Sequence, residues 1–171
     1  QDETGEMEIR AISMLMGELF LKRLDPADRD GTLLLITADH GQIKTPKSAV
    51  AVYTEHPRLK ELLWIAPMGE SRVPFFYVRN GAYDEAMAYL QDTFGEQFWF
   101  ASREQVLESG LLGPGPLYEE VPFRLGDIIG FAKGDHAFGW SKEDAERLVG
   151  RHGGLTPEEM LVPLLALRLD A

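Results

Sequence analysis

The chain has 171 residues, 44% of them hydrophobic and 26% charged, the composition of an ordinary globular protein long enough to bury about 70% of its unfolded surface. Its net charge of −11 opposes sequence-independent binding to nucleic acid, which needs basic surface, but leaves phosphorylated small molecules open, because bound cations can reverse the field locally. There is no cysteine, so disulfides and thiolate metal ligands are excluded, and no apolar run approaches the roughly 20 residues of a membrane span.

The sequence starts at Gln1 without an initiator Met or a signal-peptide pattern and enters a helix almost at once, so it reads as a chain cut from something longer. The compartment is not fixed; a cytoplasmic location is a guess. Residues 5–24 predict an amphipathic helix, with Met7, Ile12, Leu15, Met16, Leu19 and Phe20 at three- and four-residue spacings. Asp25-Pro26 ends it. Thr32–Ala38 is a continuous apolar and β-branched run, which predicts a central strand buried on both faces, as in a parallel sheet under helices. Short strand and helix signals follow at 48–53 and 57–63.

From residue 64 the punctuation changes. Val73–Val78 reads as a strand, with Pro74 suggesting a sheet edge. Tyr83–Phe94 reads as a helix with Ala86, Leu90 and Phe94 on one face. Phe98–Ala101 reads as a strand, and Ser102 as the N-cap of a further helix. The predicted organisation is an α/β core portion, residues 1–63 and 113–171, with an inserted α+β subdomain at 64–112. Beyond it, Asp127–Ala132 and Ala137–Trp140 predict a hairpin turning at Lys133-Gly134-Asp135, and Ser141 an N-cap with Asp144 three residues on. Near the end, Thr156, Pro157 and Glu159 form a capping-box pattern, and Leu164–Leu169 reads as a last strand.

Two stretches carry chemistry. Asp39-His40-Gly41 falls where the apolar strand should emerge, and the C-terminal edge of such a strand is where open α/β sheets bind ligands. A carboxylate and an imidazole there suit a divalent metal; a strand ending in a turn, with Asp39 capping backbone amides, is the bland alternative. His152 stands beside Gly153-Gly154, free to reach a ligand or simply to bond to backbone. His56 reads as a surface residue, His136 as a pairing residue in the hairpin, and Arg72 and Arg124 as surface or ion-pair residues.

Together, Thr37-Ala38-Asp39-His40-Gly41-Gln42 and the run Gly150-Arg151-His152-Gly153-Gly154-Leu155-Thr156-Pro157-Glu158-Glu159-Met160-Leu161-Val162-Pro163 resemble the C-terminal half of the alkaline phosphatase superfamily, in its type I phosphodiesterase/nucleotide pyrophosphatase branch. The blocks Gly69–Arg72, Gly110–Gly113 and Arg124–Asp127 are similar to bacterial members, so the resemblance runs along essentially the whole chain. It implies an α/β fold, the C-terminal half of a mostly parallel sheet flanked by helices, and a phosphate-transfer site with two divalent metals, zinc or manganese. Asp39 and His40 match the ligands of one metal and His152 a ligand of the other. Asp127 resembles a family-typical position without an assigned role. The family's Thr or Ser nucleophile, its further Asp, and its Asp-x-x-x-His pair have no counterpart here.

The resemblance therefore implies the C-terminal fragment of a metal-dependent phosphodiesterase or pyrophosphatase, inactive alone, with no catalytic residue of its own. Its substrate would be a phosphoester or nucleotide-like small molecule. Its partners would be the missing N-terminal half or a second copy of itself. The alternatives are a phosphomonoesterase, phosphomutase or sulfatase relative on the same scaffold, and a non-catalytic α/β interaction module.

Overall fold

The computed structural model describes residues 3–170. In chain order the helices and strands are α1 (Glu3–Met14), α2 (Pro26–Arg29), β1 (Leu33–Thr37), β2 (Ile43–Lys44), β3 (Val50–Val52), α3 (Pro57–Leu62), β4 (Met68–Glu70), β5 (Val73–Phe76) and α4 (Tyr83–Phe94). These are followed by β6 (Phe98–Ser102), α5 (Arg103–Glu108), α6 (Val121–Arg124), β7 (Ile128–Ala132), β8 (Ala137–Gly139), α7 (Lys142–Arg147), β9 (Gly150–Arg151), α8 (Pro157–Met160) and β10 (Leu164–Arg168). The chain divides into two compact units, 1–38 with 163–171, and 39–162.

In the first unit α1 continues through a π-helical stretch, Leu15–Phe20, and a tight 3-10 turn, Leu21–Arg23, so the predicted helix over 5–24 is present with a changed pitch in its second half. β1 pairs with β10 in antiparallel register, Leu33 opposite Arg168 and Thr37 opposite Leu164. The predicted final strand is therefore there. The expectation of a β1 buried on both faces is not met within this chain: Leu33, Leu35 and Ile36 are exposed, as are Leu164, Leu165 and Leu167 of the paired strand β10. The physical reason is that β10 satisfies one edge of β1 while most side chains on both faces of the pair stay exposed among the described residues.

The second unit holds the core. A four-stranded sheet in the order β4-β5-β7-β6 is antiparallel throughout. α3 and α4 pack against it through Leu59, Leu62, Ala86, Leu90 and Phe94, which meet Phe76, Phe98, Ile128 and Phe138 in one cluster. The buried positions of α4 are the three that the helical spacing singles out. Ser102 caps α5 in a full capping box: its hydroxyl accepts from the Gln105 amide at 3.2 Å, and the Gln105 side chain accepts from the Ser102 amide at 2.8 Å. This sheet draws its strand β7 from beyond residue 112.

Two local expectations change. β5 lies inside the sheet and not at its edge; Pro74 is tolerated because it faces Gly69 of β4, and the β5–β7 ladder begins only at Phe75. Residues 123–140 do not form a hairpin. The segment Ser71-Arg72 runs between the two expected strands, taking the Ala132 amide on the Arg72 carbonyl at 2.9 Å and the Phe138 amide on the Ser71 carbonyl at 2.6 Å. β7 thus joins the four-stranded sheet, and β8 pairs instead with β3, in parallel.

Candidate metal centre

The two chemistry-bearing stretches, far apart in sequence, are brought side by side by the short antiparallel pair β2–β9, with Ile43 opposite Arg151 and Lys44 opposite Gly150. A second tie comes from the Gly41 amide, which donates to the Glu159 carbonyl oxygen at 2.8 Å. A Cβ at Gly41 would overlap the backbone of Glu158, so only glycine lets the chain pass this close. The result is that the His40 and His152 rings stack, their centroids 3.7 Å apart and their planes 14° from parallel.

Around His40 the arrangement is specific. Its Nδ1 lies 2.8 Å from the Gly41 carbonyl oxygen, which can only accept, so the imidazole donates this bond. Its other ring nitrogen, Nε2, lies 3.6 Å from Asp39 Oδ2. Two donors bound to one tetrahedral zinc at about 2.0–2.1 Å stand about 3.4 Å apart. The donor types and their spacing therefore fit a shared divalent ion, and the backbone bond to Nδ1 is the kind that orients a metal-ligating imidazole. Asp39 Oδ1 also accepts from the His40 amide at 3.1 Å, which fixes the carboxylate. The Asp39 side chain is 88% exposed and that of His40 38%, so both are open to an ion from solvent. The set is not closed: among the described residues no three His, Asp or Glu side chains gather around one point.

His152 is held by its neighbours. Gly153 has φ +95°, and a Cβ there would stand 2.8 Å from Glu70 Cβ; at Gly154 one would stand 2.6 Å from Glu159 Oε2 and 2.9 Å from Arg72 Nε. Both glycines are thus required by crowding. Arg151, next to His152 in β9, is buried and reaches away, its guanidinium donating to the Asp144 and Ala145 carbonyls at 3.4 Å; burial pushes its pKa down.

The group least visible in the sequence is Glu159. It is 3% exposed and pairs with Arg72, 0% exposed, through two bonds of 2.7 Å, Nε to Oε1 and Nη2 to Oε2. The same carboxylate accepts from the Gly154 amide at 2.8 Å and from the Thr156 hydroxyl at 2.8 Å. Burial works against its charge, but Arg72, Thr156 and Gly154 together hold its pKa below the ordinary carboxylate value. In place of the expected capping box, Thr156 gives its hydroxyl to a side chain, because that side chain is drawn inward to Arg72. The only sequence signal for this was the pair of glycines ahead of Glu159, which leave room for a large buried pair.

The remaining candidates have structural partners. Asp127 accepts from the Val78 amide at 2.7 Å and from Arg103 at 2.6 Å. His136 faces the Ala49 carbonyl at 3.4 Å, His56 faces the Tyr89 hydroxyl at 2.9 Å, and Arg124 pairs with Glu120 on the surface.

No family model matches the sequence, and comparison with curated proteins yields no match. The architecture is nonetheless defined by solved structures: it is an alkaline-phosphatase-like α/β fold, in the form found in nucleotide pyrophosphatases/phosphodiesterases. Murine ectonucleotide pyrophosphatase/phosphodiesterase 5 matches with a TM-score of 0.62 at 22% identity, over 80% of this chain and 34% of that one. An inactive variant of the same murine protein, in complex with AMP, matches at 0.58 and 22%, over 78% and 33%. Phosphonoacetate hydrolase from Sinorhizobium meliloti 1021, in complex with phosphonoformate, matches at 0.58 and 23%, over 88% and 39%. The chain thus spans little more than a third of the length of the structures it resembles. No helix among the described residues is long and apolar enough to cross a membrane.

Proposed function

We propose that this chain carries part of the two-metal centre of a phosphoester hydrolase, with Asp39 and His40 holding one divalent ion and His152 serving a second. The observation that carries the reading is His40 Nε2 facing Asp39 Oδ2 at 3.6 Å, beside the stacked ring of His152. Imidazole lone pairs lie in the ring plane, so two nearly parallel rings direct them side by side and not to one point. That suits two neighbouring ions better than one. Held there by Asp39, His40 and His152, two divalent ions would supply the positive charge that a phosphoryl group needs during transfer. This chain's own residues orient the ligands: the Gly41 carbonyl holds the His40 ring through Nδ1, and the His40 amide holds the Asp39 carboxylate.

The substrate class is a small phosphoryl compound, a phosphoester or phosphoanhydride of nucleotide-like size. It agrees with the AMP and phosphonoformate bound by the murine and bacterial structures. The nucleophile and the other ligands come from the rest of the fold, which makes this chain a weak metal binder and inactive alone. Zinc or manganese suits oxygen and imidazole ligands without thiolate.

Titrating the chain with zinc while following its four histidines by NMR tests this. His40 and His152 should respond at submillimolar to millimolar zinc, and His56 and His136 should not. Silence of His40 and His152 at millimolar zinc would overturn the metal assignment and favour the non-catalytic module. Adding an aryl phosphodiester should give no turnover; rates of about 1 per second or more, ordinary for intact enzymes, would overturn the claim of inactivity.

A further inference from the structure

We propose that the buried Arg72–Glu159 pair is the positioning device of the centre, setting the juxtaposition of His40 and His152 without touching either ring. Glu159 acts through two separate parts of one residue. Its carboxylate takes the Gly154 amide, two residues after His152, and the Thr156 hydroxyl, so it fixes the turn that presents His152. Its backbone carbonyl takes the Gly41 amide, one residue after His40. A shift of Glu159 therefore moves both histidine loops at once.

Arg72 anchors Glu159 to the sheet. Its guanidinium is bidentate on the carboxylate and donates a further bond to the His136 carbonyl, while its own backbone carbonyl takes the Ala132 amide at the end of β7. A fully desolvated, planar, two-bond pair is stiff in both distance and angle, which a loose surface pair is not. Thr156, Gly154 and the two Arg72 nitrogens occupy both oxygens of the carboxylate. It has no remaining freedom to rotate, and the glycine at 154 leaves no side chain to push it away. If Glu159 only filled space at the inner face of α8, a carboxylate with four donors and a paired, wholly buried arginine would not be needed. Buried pairs of this kind add little net stability and are better suited to fixing one arrangement.

The inference rests on the metal reading only for its zinc arm, and the test separates the two. In the metal-free chain, the imidazole ring protons of His40 and His152 should carry the mutual ring-current shifts of a stack. Glu159→Gln keeps the volume but turns an amide donor toward Arg72, and Arg72→Lys keeps the charge but loses the two-bond fork. In either variant, with a wild-type far-UV circular dichroism spectrum, those protons should move to the positions of unstacked imidazoles, and zinc affinity should fall about tenfold or more. A folded variant that keeps the stacked shifts overturns the proposal. If both variants unfold, Thr156→Val, which removes one tether and leaves the ion pair, decides it: the His152 signals should shift while the spectrum stays unchanged, and unmoved signals overturn it. Should the wild-type chain ignore zinc while the ring shifts still follow Glu159, the metal reading fails and the positioning role stands.

Discussion

At Gly41 the missing side chain matters more than any side chain around it. A Cβ there would run into the Glu158 backbone, which cannot swing aside as a flexible side chain could. The Gly41 amide would also be pulled off the Glu159 carbonyl. Gly41→Ala should lower the stability of the second unit by about 2 kcal/mol, in the range of forced overpacking. Gly5 makes the contrast: it lies in α1 with nothing within 4 Å of a Cβ, and Gly5→Ala should leave that unit unchanged and raise helix content slightly. All three tryptophans, Trp64, Trp99 and Trp140, lie in the second unit, so urea unfolding followed by their fluorescence reads Gly41→Ala selectively. Equal midpoints for wild type and Gly41→Ala would show that the close passage is not rigid.

Among the elements, α3 and α4 meet at His56. This residue precedes α3, faces the Tyr89 hydroxyl of α4, and packs edge-on against Phe94 at 4.7 Å between ring centroids. Burial lowers its pKa, with Glu55 opposing weakly. In this range the unfolded chain binds the proton more readily than the folded one. Stability is therefore unaffected above about pH 6.5, the unfolded value, and falls as pH drops through it toward the lower folded value. Urea midpoints at pH 8, 6.5 and 5.5 should show this decline, and His56→Gln, which cannot titrate, should remove it; an identical decline in the variant would place the proton elsewhere.

The same elements show what was readable beforehand. The face of α4 and the caps at Ser102 and Ser141 are local properties, fixed by spacing and by one hydroxyl each, and they appear where the sequence puts them. The hairpin at 123–140 fails because its disruption comes from Ser71-Arg72, distant in sequence, and nothing local to Lys133-Gly134-Asp135 announces it. The candidate centre divides in the same way. Asp39, His40 and His152 were legible as residue types after a strand and beside glycines. Their approach to one another depends on β2–β9 pairing and on Glu159, whose helix-cap pattern concealed a buried partner.

For the whole molecule, the decisive surface is the β1–β10 ribbon. Residues opposite one another share a face, so Leu34, Ile36, Leu165 and Leu167 make one side wholly apolar, and Leu33, Leu35, Leu164 and Ala166 dominate the other. That is the composition of strands covered on both faces, which is why the sequence predicts burial, yet most of these side chains stand exposed. A two-stranded ribbon is marginal in water, and apolar surface of this extent drives association. The net charge of −11 opposes it through repulsion that salt screens. The 171-residue chain should therefore self-associate in sedimentation velocity at tens of micromolar protein, and more strongly as salt rises. Ile36→Glu with Leu165→Lys places an ion pair at directly opposed positions, keeping the register while removing two apolar groups, and should shift the population toward monomer. A wild-type chain that sediments as a monomer at every concentration and salt level would mean that the exposed ribbon does not drive association.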